Sequence, residues 1–242
     1  MNLARRTTTE ALGTALLLAT VIGSGIMGDR LAGGNVAIAL LANTLATGAA
    51  LVALILTFES ISGAHFNPVV TLAEATTGSL KWRDVPAYLL AQMSGAFIGV
   101  AVAHLMFSEP LFSVSQHVRA GSAQMFSEFV ATFGLLAVIF SCTKKKPNAV
   151  PFAVAAYITA AYWFTASTSF ANPAVTLARM MSDTFAGIRP VDAPGFILGQ
   201  LLGGAAATIL FRWLLVDKAE TKNVHEQRTG EGAEIFSKGM IE

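Results

Sequence analysis

The amino-acid sequence predicts an all-α membrane protein in which six transmembrane helices and two re-entrant half-helices form an inverted repeat. Three observations predict it. The 242 residues are 54% hydrophobic and only 13% charged, with a mean hydropathy of +0.59, far too apolar for a soluble domain of this length. Six apolar stretches reach the ~20 residues that a helix needs to cross a hydrocarbon core of ~30 Å. Finally, FNPVV at 66–70 returns almost unchanged as ANPAV at 171–175.

The spans are expected at roughly 9–28, 35–58, 85–107, 125–143, 149–170 and 194–216. The first has no convincing small-residue cleavage site and many similar segments follow it, so it reads as a span and not as a signal peptide. Between the second and third spans, and again between the fifth and sixth, lie the shorter stretches Pro68 to Gly78 and Pro173 to Asp183. Each would be about 16 Å long as a helix, half a membrane. Arg5, Arg6, Lys81, Arg83, Lys144, Lys145, Lys146, Lys218 and Lys222 fall on one side of this topology, whereas Arg30, Arg119 and Arg189 fall on the other. Cytoplasmic loops hold the excess of Lys and Arg, so both termini are expected in the cytoplasm, with the chain embedded in the cell's inner (plasma) membrane. Residues 1–216 form the channel-like domain, and 217–242 a polar cytoplasmic tail whose composition suits a solvated or disordered segment.

A net charge of +1 gives no reason to expect nucleic acid, and the single Cys142 leaves no internal disulfide or cysteine metal cluster. No nucleophile and base pair or metal-ligand cluster emerges, so neither enzyme activity nor a cofactor is expected.

EALGTALLLATV from Glu10 is echoed by EFVATFGLLAVI from Glu128, and NPVVTLA from Asn67 by NPAVTLA from Asn172. Each half, about 4–107 and 125–216, therefore holds three spans and one half-span in the same order. Because three is odd, the second half enters the membrane from the opposite face. Asn is among the best N-caps, and Pro at the first helical position has its φ pre-set and lacks an N–H that would be unpaired there. Asn67 with Pro68 and Asn172 with Pro173 thus each begin a half-helix, and the positive ends of both macrodipoles face each other where the halves meet. Irregular backbone at that depth is tolerated only where it is buried or lines a water-filled cavity. The duplicated Asn-Pro therefore predicts a polar, electropositive constriction at the centre of a pore.

With these motifs, SGAHFNPVVTLA at 62–73, ANPAVTLA at 171–178 and the Glu10 and Glu128 helices, the chain resembles the aquaporin and aquaglyceroporin family, the major intrinsic proteins, over residues 4–216. The resemblance implies a right-handed aquaporin-fold bundle, one pore per subunit, and a homotetramer in the lipid bilayer. It makes Asn67 and Asn172 the paired pore asparagines, within motifs completed by Val69, where the family usually has Ala, and by Ala174. Glu10 and Glu128 are carboxylates inside apolar spans and so functional by default; a proton relay is one reading, and the resemblance favours support of the Asn-Pro loops. His65 it places in the pore lining, offering a carbonyl. His104 and His117 receive no role.

The resemblance also implies a four-residue selectivity filter. Counted from the motifs, its positions fall at Thr47, twenty before Asn67, at Ala160, twelve before Asn172, and at Ser169 and Val175 flanking the second motif. Most of the family carries Arg where Val175 stands. Its absence predicts a wide, neutral filter that passes uncharged solutes larger than water, with Thr47 and Ser169 offering hydroxyl contacts. Arg179, one turn beyond Val175, lies on much the same face; it could reach back as a displaced filter arginine, but the expectation is that it snorkels to the interface. Bacterial aquaglyceroporins associated with arsenic resistance also have Val at this position. The resemblance therefore implies a passive channel for trivalent arsenicals, arsenous acid and methylated forms included, together with glycerol, urea and water. A general glycerol or water channel is the alternative. A proton-coupled secondary transporter is a second, although no intramembrane acidic cluster beyond Glu10, Glu59, Glu74 and Glu128 is present to serve it.

Overall fold

The computed structural model describes residues 1–215. The tail expected at 217–242, and the last residue of the sixth expected span, lie outside the described residues. Among the described residues, eight α-helices run α1 Leu3–Leu31, α2 Val36–Ser62, α3 Pro68–Thr77, α4 Val85–Phe107, α5 Ser122–Lys145, α6 Val150–Phe164, α7 Pro173–Arg179 and α8 Ala193–Leu214. Among the described residues, α1, α2, α4, α5 and α8 are long and apolar enough to cross a membrane. α6 is shorter than expected: it has 15 residues, led in by the 3-10 turn Pro147–Ala149, and stops where Thr165 turns extended. α7 is also shorter, at seven residues. Beyond it, the carbonyls of Met180 and Met181 accept from the amides of Ser115 and Ser113, so the 108–121 loop competes for the groups that another helical turn would use.

The start signals are explicit. Asn2 caps α1 through Arg5 N, Asn35 caps α2 through Ala37 N and Ile38 N, and the two Asn-Pro pairs start α3 and α7. Within the first half, α1 packs against α2 and α4; within the second, α5 packs against α6 and α8. The halves join where α2 meets α6. Each half-helix also bridges the repeats, since α3 packs on α4 and α8, and α7 on α8 and α4.

Close approach of helices without a hydrophobic driving force requires small residues. A Cβ on Gly95 or Gly99 of α4 would lie 2.2 Å from Ala11 O or 2.3 Å from Ala15 O of α1. In the second repeat, Gly199 and Gly203 of α8 meet Met125 O and Phe129 O of α5 in the same way, at 2.4 and 2.3 Å. These two seams place Glu10 and Glu128, on α1 and α5, beside the loops that carry the Asn-Pro pairs.

Candidate functional site: a pore with two asparagine-capped half-helices

Glu10 and Glu128 are fully buried. Glu10 Oε1 accepts from His65 N at 3.0 Å and from the Ser62 hydroxyl at 2.6 Å, and Oε2 from Phe66 N at 2.8 Å. Glu128 accepts from Phe170 N at 2.8 Å and Ala171 N at 2.7 Å. A glutamine completes each cluster. Gln92 Nε2 bridges Glu10 and Thr71, both at 2.8 Å, and Gln200 Nε2 bridges Glu128 and Thr176 at 2.6 and 2.8 Å.

These bonds hold a backbone that L-residues adopt reluctantly. Ala64 and Phe66 have φ of 50° and 49°, and Ser169 and Ala171, at the matching offsets before the second asparagine, have φ of 50° and 48°. With their N–H groups turned back to the carboxylates, both loops present their other side to a cavity of about 670 Å³. The cavity runs from Arg6, Glu59, Glu74 and Asn148 at one mouth, past Asn67 and Asn172, to Arg179 at the other.

Each asparagine does two jobs. Asn67 Oδ1 accepts from Val69 N at 3.0 Å, and Asn172 Oδ1 from Ala174 N and Val175 N at 3.0 and 3.3 Å, which are N-caps of α3 and α7. The amide nitrogens cross over: Asn67 Nδ2 donates to Ala171 O and Asn172 Nδ2 to Phe66 O, both at 2.7 Å. An amide NH₂ has two donors, so this clasp leaves one N–H per asparagine for a passing solute. The N-termini of α3 and α7 meet at the same point, and their dipoles make the constriction electropositive.

Residues 1–162 match the major intrinsic protein family. Aquaglyceroporin AqpS of Rhizobium meliloti (strain 1021) is 56% identical over 214 residues, which is 88% of this chain and 91% of that one. The chain belongs to the major intrinsic protein family. This major intrinsic protein is also 42% identical to aquaporin NIP1-1 of Zea mays over 94 residues, 38% of this chain and 33% of that one. It is 36% identical to the glycerol uptake facilitator protein of Bacillus subtilis (strain 168) over 94 residues, 32% of this chain and 34% of that one. The X-ray structure of the aquaglyceroporin from Plasmodium falciparum superposes with a TM-score of 0.66 over 87% of this chain and 94% of that one, at 19% identity. That likeness concerns the fold alone: this major intrinsic protein has the aquaporin fold.

Of the four expected filter positions in this major intrinsic protein, Thr47, Ser169 and Val175 line the cavity. Ala160 does not. It is exposed on the outer side of α6, while Ile158 and Tyr162 line the cavity in its place. At 100° per residue, 158 and 162 share a helix face and 160 lies opposite. The Tyr162 hydroxyl lies 3.2 Å from Thr47 Oγ1, so an aromatic ring and a phenol stand where a small residue was expected.

The expected snorkelling of Arg179 is also overturned. Its side chain is 2% exposed and turns inward to line the cavity, its Nε donates to Ala186 O, and its guanidinium carbon sits 3.4 Å over the centroid of the Phe170 ring. α7 ends at this residue, and the Ala186 carbonyl and the Phe170 ring take its side chain. The cavity lining that includes Val175 therefore also includes a guanidinium, that of Arg179.

His65 lines the cavity near the opposite mouth, its Nδ1 3.1 Å from Thr71 Oγ1. His104 is buried away from the cavity between Leu111 O and the Ser182 hydroxyl, at 3.0 and 2.8 Å. Among the described residues no group of acidic, His and Cys side chains could hold a metal ion. Gln92 and Gln200 escaped sequence reasoning although the repeat carried them, each three residues before a seam glycine, Gly95 or Gly203.

Proposed function

We propose that this major intrinsic protein is a passive channel for small neutral solutes: trivalent arsenicals, from arsenous acid to methylated forms, with glycerol, urea and water. The observation that carries this reading is one cavity that passes the asparagine clasp, lined from Arg6 and Glu59 at one end to Arg179 at the other. Polyhydroxy solutes suit it. Thr47, Tyr162, Ser169 and one N–H of each asparagine offer hydrogen bonds that offset desolvation, and Leu17, Val21, Leu51 and Ile158 supply apolar wall. Arsenous acid is a neutral trihydroxide near pH 7 and has the shape and hydroxyl pattern of a small polyol. Similarity to aquaglyceroporins and to a glycerol uptake facilitator supports the polyol class.

Arg179 provides the fixed charge that Val175 lacks, and with the two half-helix dipoles it opposes protons and other cations. Thr47, Tyr162, Ser169, Val175 and Arg179 form the filter, and Asn67 and Asn172 the central constriction. Glu10 and Glu128 support the loops, because their contacts go to backbone amides, a hydroxyl and a glutamine. Apolar residues exposed on the outer faces of α1, α2, α4 and α8, such as Leu31, Leu45, Leu90 and Ile209, suit a bilayer and a homotetramer. Both termini are assigned to the cytoplasmic side of the inner membrane by the basic residues near them.

Flux tests the reading. Glycerol entry into proteoliposomes is expected to rise in proportion to the gradient without saturating, and to stay the same when a proton or sodium gradient is imposed. Uphill accumulation driven by either ion gradient would contradict a channel.

A further inference from the structure

The mouth at the end of α7 holds two buried arginines, Arg119 and Arg179, that form no direct ion pair among the described residues. Arg119 is 9% exposed and gives its side-chain donors to neutral acceptors: Gly187 O at 2.8 Å, Ser167 O at 3.4 Å, Thr168 Oγ1 at 3.3 Å and Phe185 O at 3.4 Å. Its guanidinium carbon lies 5.0 Å from the Phe170 ring that Arg179 also covers. Among the described residues neither arginine has a carboxylate within ion-pair distance.

The carboxylates nearby are already engaged. Glu128 takes the Phe170 and Ala171 amides and Gln200, Glu109 takes Arg30 at 2.8 Å, and Asp183 takes Gln116 N at 2.8 Å. Asp192 takes Arg189 at 3.0 and 3.1 Å and the backbone N–H of Arg119 at 2.9 Å. The hydrogen bond from Arg189 holds the Asp192 carboxyl below the usual carboxylate range, so it stays ionised and committed. Two further features belong to residues of the cavity lining. Among the described residues only Nε of Arg179 has a hydrogen-bond partner, which leaves the terminal nitrogens with unused donors at the lining. The hydroxyl of Ser169, in the same lining, is buried with no hydrogen-bond partner.

We propose that this mouth is a binding site for a small monocarboxylate, held by the guanidinium fork of Arg179 and the hydroxyl of Ser169, and that its occupation slows passage of neutral solutes. The proposal rests on the channel reading for its second half only. A buried charge without a partner is costly, and a planar carboxylate matches a guanidinium bidentately. Arg119, behind Phe170, adds potential without touching the ligand. Val175 and Phe170 give the lining apolar surface beside Arg179, and Thr47 and Tyr162 add hydroxyls but no second cation, which favours a monoanion of formate or acetate size.

Two measurements test it, with formate as the probe and chloride at equal ionic strength as the reference. Thermal unfolding of the detergent-solubilised protein reads binding without any flux: formate is expected to raise the midpoint above that in chloride. Apparent affinity should fall about ten-fold or more in Arg179→Lys, which keeps the charge and loses the fork, and fall also in Ser169→Ala. Glycerol flux in proteoliposomes, with anion on both sides, reads block; each variant is judged by its own formate-to-chloride flux ratio, which is expected below one in the wild type and closer to one in both variants. Equal midpoints in formate and chloride, or a formate shift unchanged in both variants, overturns the site. Formate binding with a flux ratio of one overturns the block alone. Absence of glycerol flux in chloride counts against the channel reading and leaves the unfolding result to decide the site.

Discussion

Replacing Glu128 by alanine is expected to remove most of the folded protein. Three buried donors, Phe170 N, Ala171 N and Gln200 Nε2, lose their acceptor, at about 1–3 kcal/mol for each group left unpaired. The loop they anchor holds Thr168, Ser169 and Ala171 at φ of 60°, 50° and 48°, a conformation that itself costs of order 1–3 kcal/mol per residue and persists only when the surroundings enforce it. The sum rivals a typical total stability of about 5–15 kcal/mol. Glu10→Ala is expected to do the same through His65 N, Phe66 N, Ser62 and Gln92. Glu128→Gln keeps one acceptor oxygen and should reduce yield while leaving transport passive. Yield and monodispersity by size-exclusion chromatography check this. An alanine variant with wild-type yield would contradict loop support, and wild-type transport that follows a proton gradient, lost in Glu128→Gln, would make the carboxylate a relay.

Val175→Arg is expected to lower the flux of glycerol and arsenous acid by at least about ten-fold, a barrier increase of about 1.4 kcal/mol, and that of water far less. Val175 is buried in the cavity wall with its amide capped by Asn172 at 3.3 Å. A guanidinium there would occupy the lumen and stand near Arg179, whose like charge pushes both side chains into whatever width remains. Water needs less width than a trihydroxide. Stopped-flow light scattering on the same proteoliposomes separates the two fluxes; an equal proportional fall would mean that Val175 sets no size limit.

How far the sequence could be read depended on whether a feature was local. The helix starts at Asn67-Pro68 and Asn172-Pro173 follow from capping chemistry within a few residues, and the six apolar stretches need only length and composition. The cavity face of α6 had no such local signal. This helix is apolar nearly all round, so its rotation about its axis is set by α2 and α5, and counting residues back from Asn172 landed on Ala160 instead of the face of Ile158 and Tyr162. Arg179 was misplaced for a related reason. The interfacial expectation assumed that α7 continues to Asp183, whereas pairing of Ser113 and Ser115 with Met181 and Met180 ends it at Arg179 and leaves the side chain beside Phe170. Arg119 entered the sequence reading only as a basic residue on the side opposite the termini, and its burial depends on carbonyls from Ser167, Phe185 and Gly187, which sequence separation hides.

A neutral-solute pore is tested most directly by supplying one element in two charge states. In proteoliposomes at neutral pH, arsenous acid and arsenate are offered separately and uptake is measured against empty liposomes. The cost of dehydrating an ion in the constriction at Asn67 and Asn172, several kcal/mol as an order of magnitude, exceeds what its positive potential returns to an anion, and predicts protein-dependent uptake of arsenous acid and arsenate at the background rate. Arsenate entering at a rate comparable to arsenous acid, or arsenous acid entering no faster than in empty liposomes, would contradict it.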